Sequence, residues 1–560
     1  MTKLKKVFSR HWDYFVLAVI VALAAAVRLY HFHNWLYFAM DQARDAMLVR
    51  EAYENGVSQL PLLGPRAAGT FLRLGPAFYY FQYISVRIFH STDPAVLAYP
   101  DFIWSILSVP LFYFFLRLFF KKLPSLLATA VYAFSFLAIE YSRFAWNPNS
   151  APFWMLLCLF GLLKFGRGET KKVRTFWLAA AAAGLGVASQ MHFLVFLTLP
   201  IIVGLYFAWS GDWRKLNWKN VLLALIILAI LYLPMALSEL KTGGDNAKQF
   251  FFALQNKSNK SYSLTDKFFQ NIVNHGNYYF MILTSYMSRT GKFSMFAGVI
   301  FIAATILKIF FDFRDERSGG RRNFLKLISI WFVVIFLVLI LFAFQIRPRF
   351  FFPVLFLPFV FFAFWLEWLL EPKKKYLAFG VTVAAALVVI ALNSEATYAW
   401  YKSFAKGEEL RPFHGRFLFT QPMHGVTLSH LEAAADFLDK RSKEEGRQIR
   451  LYGDMTFRVP LQYLLEAKSP PTDYKLMSRK DTDPNALYFS LTADKDGYAE
   501  IPENYRIKFD LQNSFVFGPR FQLFEMKLKD VQPEYKKGEK KSGEKKPRAR
   551  RTERVKWEDL

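Results

Sequence analysis

The sequence contains a single cysteine and none of the short motifs that hold nucleotides or catalytic metals. Cys158 lies inside an apolar run, so a disulfide framework is excluded. There is no P-loop, no paired CxxC, no HExxH and no nucleotide-binding glycine fingerprint. Nothing in the chain therefore indicates that ATP or another nucleotide is bound.

Acidic side chains are in the minority, with 44 Asp and Glu against 71 Lys and Arg and a net charge of +27. This excess does not predict a nucleic-acid partner. The basic residues lie mostly in short loops between apolar runs or near the C-terminus, and short basic loops mark the cytoplasmic side of a membrane protein.

Long apolar runs decide the class of protein. The chain is 54% hydrophobic and 18% aromatic, a composition that does not describe a soluble domain. Runs at 14–30, 221–237, 328–344 and 378–392 have about the length that reads as a membrane span. The sequence therefore predicts a polytopic α-helical membrane protein.

Charge placement predicts the topology. Basic residues at the N-terminus and at 121–122, 164–174, 214–219, 314–326 and 373–375 are expected in the cytoplasm. Alternation between these anchors requires about eleven spans. It places the N-terminus in the cytoplasm and everything after residue 393 outside.

Two segments break the alternation. Residues 75–90 are apolar and aromatic but short, and a crossing here would place Lys121 and Lys122 outside. We therefore expect a helix lying in the interface within a first outer loop of residues 31–99. The apolar stretch 176–206 is long enough for two short spans, joined by an outer turn at residues 190–192.

The chain divides into a membrane domain (1–394), an extracytoplasmic α/β domain (395–527) and a basic disordered tail (528–560). The α/β domain is predicted from an amphipathic helix at 429–440 and strands at 449–452, 486–491, 505–511 and 521–526. The tail is rich in Lys and Arg and poor in apolar residues.

Four polar groups fall in predicted outer loops, and His192 falls at the outer turn. All face one side of the membrane, as an active site at a lipid–water interface requires. The groups are Asp41 with Arg44 and Asp45; Arg66 with Tyr79; Glu140 with Arg143, Asn147 and Asn149; and Arg347 with Arg349.

Each of these residues also has a structural interpretation. Asp41 precedes a helix-forming stretch at 43–53 and fits a helix N-cap. An Arg at the end of a span often reaches lipid headgroups, which is the preferred interpretation for Arg66 and Arg73. A lone His among apolar residues, such as His192, is usually structural.

At these residues the chain resembles the GT-C glycosyltransferases, and among them the protein O-mannosyltransferases (glycosyltransferase family 39) and the bacterial aminoarabinose transferases that modify lipid A. The resemblance covers about the first 400 residues. It rests on an Asp after the first span, Gly-Pro-x-x-Tyr-Tyr from Gly75, Tyr-Ser-Arg from Tyr141 and Arg-Phe-x-x-Pro from Arg349, in that order.

The resemblance implies a GT-C fold, a sugar donor on a polyprenyl phosphate and inverting transfer on the outer face. Asp41 matches the family's catalytic carboxylate. A carboxylate can accept the proton of an acceptor hydroxyl, and Arg can hold the leaving phosphate. We therefore expect catalytic Asp41 and Asp45, a donor phosphate held by Arg349, Arg347, Arg143 and His192, and substrate contacts from Glu140, Asn147, Asn149 and Tyr79.

Two departures leave the sugar and the metal open. Gln42 stands where the mannosyltransferases have Glu, and Asn147 and Asn149 occupy a loop where relatives often carry Asp. No cofactor is certain, and a divalent metal stays open. The expected partners are a polyprenyl-phosphate sugar, membrane lipid and an acceptor that is a glycan, a lipid or a protein.

Two other classes compete with an enzyme. A transporter or flippase of lipid-linked sugars would place ionisable groups at mid-membrane and often shows internal repeats. Here charges gather at the ends of spans, and no repeat is visible. A membrane scaffold that only presents the outer domain leaves the acidic loop and the Arg residues without a role.

Overall fold

The structure is a computed structural model that describes residues 2–67, 71–256, 262–286, 291–316, 318–370, 375–407, 425–478, 483–492, 501–519, 521–529 and 555–559. Its α-helices are α1 (Thr2–Leu29), α2 (Met40–Asn55), α3 (Ala77–Phe89), α4 (Pro94–Arg117), α5 (Lys122–Ala133), α6 (Phe136–Glu140), α7 (Ala151–Arg167), α8 (Lys171–Met191), α9 (Phe193–Ser210), α10 (Trp218–Thr242), α11 (Asp245–Asn256), α12 (Leu264–Thr284), α13 (Lys292–Asp315), α14 (Gly319–Ile340), α15 (Leu357–Leu369), α16 (Lys375–Ala405), α17 (Leu428–Glu445), α18 (Met455–Glu466) and α19 (Glu503–Arg506). Its strands are β1 (Ile449–Gly453), β2 (Tyr474–Leu476), β3 (Leu487–Thr492), β4 (Phe509–Gly518) and β5 (Phe521–Leu528).

The first two-thirds of the chain form a multi-pass membrane domain. Within the described ranges, 8 helices are long and apolar enough to cross a membrane. They are α1 from His11 onward, α4, α7, α9, α10, α13, α14 and α16. The count rises to 9 if Pro348–Val354 and α15, which meet at 54°, form one bent span. The predicted polytopic helical architecture is confirmed, and the count of eleven spans stays a prediction.

Small residues let the helices approach one another closely. A Cβ atom on Gly298 of α13 would overlap the backbone of Gly276 on α12. A Cβ on Gly184 of α8 would overlap the backbone of α7 at Cys158. Lipid tails are as apolar as side chains, so this close van der Waals packing, and not burial from water, holds such helices together.

The loop predicted to be the first outer loop contains α2 and α3, and α3 corresponds to the predicted interfacial helix. At 13 residues it is too short to span a bilayer. Phe78, Tyr79 and Val86 are buried on one face, while Ile88 and Phe89 are exposed on the other. This division suits a helix that lies on the membrane surface and packs against α2 and α4.

The apolar stretch 176–206 breaks at the predicted turn. α8 ends at Met191 and α9 begins at Phe193, with an extended backbone at His192 between them. The His192 Nδ1 atom accepts a hydrogen bond from the amide of Leu194 at 3.2 Å, so the side chain caps α9. The break places His192 at the ends of both helices.

The C-terminal domain is a sheet with strand order β2-β1-β3-β5-β4. β1 pairs in parallel with β2 and β3, and β5 pairs antiparallel with β3 and β4. One predicted strand, 505–511, begins later than expected. The amide of Tyr505 donates to the carbonyl of Pro502 at 2.8 Å, which starts the short helix α19 before β4.

The sheet domain docks on the first outer loop through α17 and α18. The amide of Leu428 donates to the carbonyl of Leu36 at 2.9 Å. The Arg50 guanidinium on α2 lies 3.6 Å from the ring centroid of Tyr463 on α18 and donates to its carbonyl at 3.1 Å. These contacts fix the domain to the same loop that carries Asp41.

Most of the predicted basic tail lies outside the described residues, but its last part does not. Lys556 forms an isolated antiparallel β-bridge with Pro61, and its Nζ atom pairs with the Glu51 carboxylate at 2.7 Å. The Trp557 indole donates to the Tyr80 hydroxyl at 3.0 Å. Residues 555–559 therefore contact the first outer loop, and the bounds of the three predicted domains stay predictions.

Candidate active site

A cavity of about 490 Å³ opens where the segment before α7, the start of α9 and the 3-10 helix Pro348–Val354 meet the first outer loop. Its polar lining comes from segments that are far apart in the sequence. The lining residues are Asp41, Arg44, Pro65, Arg66, Ala67, Phe71, Leu74, Trp146, Asn147, Pro148, His192, Phe193, Leu194, Arg349 and Phe350. Asp41, Asn147, His192 and Arg349 are thus brought together, as the sequence predicted them to share one face.

Two carboxylates on α2 share one guanidinium. Arg44 Nη1 donates to Asp41 at 2.8 Å, and Arg44 Nε and Nη2 donate to Asp45 at 3.0 and 2.9 Å. The Tyr79 hydroxyl donates to Asp45 at 3.0 Å. Residues at i, i+3 and i+4 share one face of a helix, which explains the cluster. Burial lowers the pKa of Arg44, but the charges of Asp45 and Asp41 outweigh it and raise that pKa above its usual value.

The two carboxylates differ in access. The Asp41 side chain is 48% exposed and lines the cavity, while the Asp45 side chain is 4% exposed and lies behind it. The helix N-cap is Ala39, not Asp41, and the Gln42 side chain accepts from the Ala39 amide at 3.2 Å. Asp41 sits in the first turn, where the helix dipole favours a negative charge, and its carboxylate stays available to the cavity.

The opposite wall carries cationic and polar groups. Arg349 lies in the short 3-10 helix Pro348–Val354, with its guanidinium 5.5 Å from the ring centroid of Trp146. Asn147 donates to the carbonyl of Met191 at 2.6 Å and so joins the start of α7 to the turn at His192. Because His192 Nδ1 accepts from Leu194, the neutral imidazole carries its proton on Nε2.

The rim of the cavity is formed by the loop that carries the second predicted polar group and its two Gly-Pro pairs. A Cβ atom on Gly64 would overlap Gly75, and one on Gly75 would overlap the Gln190 side chain, so both Gly-Pro pairs need glycine. The Gln190 side chain accepts from the amide of Ala77 at 3.3 Å. Gln190 thereby fastens the loop beside His192.

The remaining predicted site residues do not line the cavity. Arg143 is buried and donates to the carbonyls of Arg28 and His31, the latter at 3.1 Å. Asn149 donates to the carbonyl of Phe144 at 2.9 Å. Asp45, Tyr79 and Glu140 are buried behind the lining, and Arg347 is exposed beside Arg349. A position at the end of a span does not reveal where the side chain points.

Two cavity residues were not assigned a role from the sequence. Arg44 stood in the first polar group, and its spacing from Asp41 and Asp45 was the signal that would have assigned it. Arg66 was interpreted as a headgroup contact, but it lines the cavity with its guanidinium 5.2 Å from the Phe71 ring centroid. No spacing rule would have placed it there, because its position depends on the folded loop.

The described residues of the cavity lining do not form a divalent-metal site. Among the described lining residues, the one carboxylate is that of Asp41, and it is paired with Arg44. The guanidinium groups of Arg66 and Arg349 line the same cavity. Mg²⁺ and Ca²⁺ need several oxygen ligands. The described side chains spaced to hold a metal ion are His33, Asp93 and Glu432, which lie elsewhere.

Comparison with known proteins agrees with this architecture. Residues 74–237 match the model of the dolichyl-phosphate-mannose-protein mannosyltransferase family. No curated protein matches the chain. Apo ArnT from Cupriavidus metallidurans superposes with a TM-score of 0.54 at 13% identity, covering 92% of this chain and 98% of that one. The same protein bound to undecaprenyl phosphate gives 0.53 at 15% identity with the same coverage.

The chain therefore has an ArnT-like fold. The predicted similarity to the protein mannosyltransferases and to the aminoarabinose transferases is confirmed.

Proposed function

We propose that this protein is a membrane glycosyltransferase that moves a sugar from a polyprenyl-phosphate donor to an acceptor hydroxyl. One observation carries the proposal: an accessible carboxylate, Asp41, and a guanidinium, Arg349, line one cavity at an end of the spans. The donor class is supported by the ArnT structure with undecaprenyl phosphate and by the dolichyl-phosphate-mannose family match.

The reaction needs a base and a phosphate-binding group. The acceptor oxygen attacks the anomeric carbon while the bond from that carbon to the donor phosphate oxygen breaks. Asp41 takes the acceptor proton, because an alcohol is a weak nucleophile until its proton is removed. The polyprenyl phosphate leaves with the bonding electrons. Attack opposite the leaving group inverts the anomeric configuration.

Arg349 would bind the departing phosphate. Guanidinium groups bind phosphate oxygens through paired, charge-assisted hydrogen bonds, and they stabilise the charge that develops there. The Trp146 ring beside Arg349 limits the movement of its guanidinium. Arg66, His192 and Asn147 line the same cavity and provide further polar contacts for the phosphate and the sugar.

Asp45 is a positioning residue in this mechanism. Its carboxylate is buried and holds Arg44, and Arg44 in turn holds Asp41. Tyr79 fixes Asp45 from the interfacial helix. The network orients the Asp41 carboxylate before the acceptor arrives.

We place the reaction on the outer face of the membrane. The basic loops that end α7 and α9 and begin α14 lie at the opposite end from the cavity, and short basic loops favour the cytoplasm. The N-terminus would then be cytoplasmic and the sheet domain extracytoplasmic.

The test is a donor panel. Purified full-length protein is mixed with polyprenyl-phosphate sugars and a membrane extract as acceptor source, and release of polyprenyl phosphate is measured. The proposal expects one donor to be consumed. A flippase moves a lipid-linked sugar across a membrane without cleaving it, so it would leave every donor intact in detergent. That result would overturn the proposal.

A further inference from the structure

A second cavity, of about 520 Å³, lies at the other ends of the helices that build the candidate active site. It is formed by the C-terminal ends of α7 and α9, the turn that follows α9 and the start of α14. With 17 residues, α7 separates the two cavities by roughly 25 Å. They therefore open toward opposite faces of the membrane.

The lining of this second cavity is strongly cationic. Five basic side chains and one carboxylate, Asp212, are found among its described lining residues. The carboxylate is already engaged, because Asp212 is nearly buried and pairs with Lys215 at 2.8 Å. It also accepts from the Tyr206 hydroxyl at 3.0 Å and from Asn323 at 3.3 Å. Asp212 thus shapes the cavity without neutralising the other cations.

Four cations remain without a carboxylate partner in the described parts of the chain. Arg167 donates to the carbonyl of Leu118 at 2.8 Å, and Lys326 donates to that of Trp209 at 2.8 Å. Arg322 stacks 4.7 Å from the Phe313 ring centroid, and Arg214 lies 5.4 Å from that of Trp213. Carbonyls and rings orient these groups but leave their charges in place.

The backbone adds to the positive field. α14 begins at Gly319, in the cavity wall. The Ser318 side chain does not cap it, and the Glu316 carboxylate accepts from the Ser318 amide at 2.7 Å but from no described amide further into the first turn. The free amides of a helix N-terminus attract anions. A Cβ atom on Gly166 would overlap the Asp212 carboxylate, so a larger residue there would displace the group that shapes the cavity.

The surroundings indicate the source of the anion. Trp209 and Trp213 are 50% and 52% exposed beside the cavity. Exposed Trp residues at the end of a span mark the level of the lipid headgroups. At that depth the phosphate groups within reach of the cavity are those of neighbouring lipid headgroups. Basic pockets between spans bind such headgroups in other membrane proteins.

We propose that this cavity binds the phosphate headgroup of an anionic phospholipid on the membrane face opposite the candidate active site. The site does not depend on the proposed glycosyl transfer. It anchors the ends of α7 and α9, whose other ends carry Asn147 and His192 of the candidate active site.

The test measures lipid binding to the full-length protein by native mass spectrometry and by melting in mixed micelles. Phosphatidylglycerol is compared with phosphatidylcholine and with inorganic phosphate. The test variant is Arg214→Gln with Arg322→Gln, whose side chains are exposed. The matched control is Lys171→Gln with Lys172→Gln, two exposed cations at the same end of the bundle that do not line the cavity.

The proposal expects selective phosphatidylglycerol binding that weakens with salt. The Arg214 and Arg322 double variant should lose on the order of tenfold or more in affinity, and the lysine control should keep wild-type affinity. Equal binding by the double variant and wild type overturns the proposal. Saturation by inorganic phosphate with no lipid preference also overturns it, in favour of a soluble ligand. If the double variant fails to fold, lipid binding is measured with Arg214→Gln alone, and the same two results would overturn the proposal.

Discussion

Single side chains on α2 determine how the candidate active site is charged. Arg44 lies between two carboxylates of different exposure, one facing the cavity and one behind it. Without Arg44, two carboxylates would lie on one turn of the helix with no guanidinium between them, although the Tyr79 hydroxyl would still donate to Asp45. A change at Arg44 should therefore affect both the stability of this loop and the proposed reaction at Asp41.

Arg44→Gln should lower both stability and turnover. Removing one partner of a largely buried pair costs about 2 kcal/mol here, less than for a fully buried pair because Arg44 is partly exposed. Arg44→Lys should recover little turnover, since one ammonium does not reach both carboxylates as a guanidinium does. Melting temperature and transfer rate are measured beside Arg87→Gln, an exposed control on α3. Full activity in Arg44→Gln would contradict the assignment.

Arg349 is predicted to bind the donor phosphate through its planar guanidinium, which can donate two parallel hydrogen bonds. Arg349→Ala should raise the KM for the donor by a factor on the order of 10 to 100, the effect of losing a charge-assisted pair of hydrogen bonds. Arg349→Lys should restore only part of the loss. The same changes at Arg347, which lies outside the cavity lining, should have smaller effects. Donor titrations that find Lys equivalent to Arg at 349 would reduce this residue to a positive anchor.

The residues were partly predictable. Asp41, His192 and Arg349 could be found because each is a polar residue at the end of an apolar run, and the folded chain places those ends together. Arg143 shows the limit of that reasoning. It occupies an equivalent position in the sequence, yet its guanidinium turns inward to backbone carbonyls.

Among the elements, α17 is held to the membrane domain by a titratable contact. His33 Nε2 lies 3.0 Å from Asp93 and 3.3 Å from Glu432 on α17. The hydrogen bond to Asp93, with the charges of Asp93 and Glu432, raises the pKa of His33 to about 9 despite its partial burial. Asp436 and Lys468 face Glu432 from α17 and from beyond α18.

The pH dependence of this docking follows from the raised pKa. The contribution of charged His33 is complete below its ordinary pKa of 6.5 and is lost as pH rises through about 9. Hydrogen exchange of α17 should therefore be faster in His33→Gln than in wild type at pH 7, and the two should converge near pH 10. Glu444→Gln, an exposed change on the same helix, is the control. A difference that is constant from pH 7 to 10 would contradict the account.

The elements themselves were largely predictable from periodicity and length. The short helix α3, the break at His192 and strands β1, β3 and β5 appear where the sequence placed them, and the position of α3 at the membrane surface stays a prediction. The start of β4 was misplaced because the turn at Pro502 leaves no mark in the alternation of apolar residues. The contact of Lys556 with Glu51 joins distant segments, and such contacts follow from the folded surface alone.

For the whole molecule, orientation in the membrane decides which compartment holds the active site. Ser58 lies in the first outer loop, Ser514 in the sheet domain and Ser318 before α14, and all three are exposed. Cys158 is buried, so the native chain is a silent background for thiol labelling.

Cysteines at these positions should report sidedness in intact cells. Ser58→Cys and Ser514→Cys should react with a membrane-impermeant thiol reagent, and Ser318→Cys should react only after lysis. Labelling of Ser318→Cys alone in intact cells would invert the topology.

The proposed role of Asp41 as the base of a glycosyl transfer can be measured on the purified protein. The measurement is the turnover of Asp41→Asn with the donor that the wild-type protein consumes. Glu54→Gln is the matched control, since Glu54 is an exposed carboxylate on the same helix and does not line the cavity. Asp41→Asn should fold normally but lose a factor on the order of 10² or more in rate, while Glu54→Gln should keep wild-type turnover. Turnover by Asp41→Asn near the wild-type rate would contradict the proposed role.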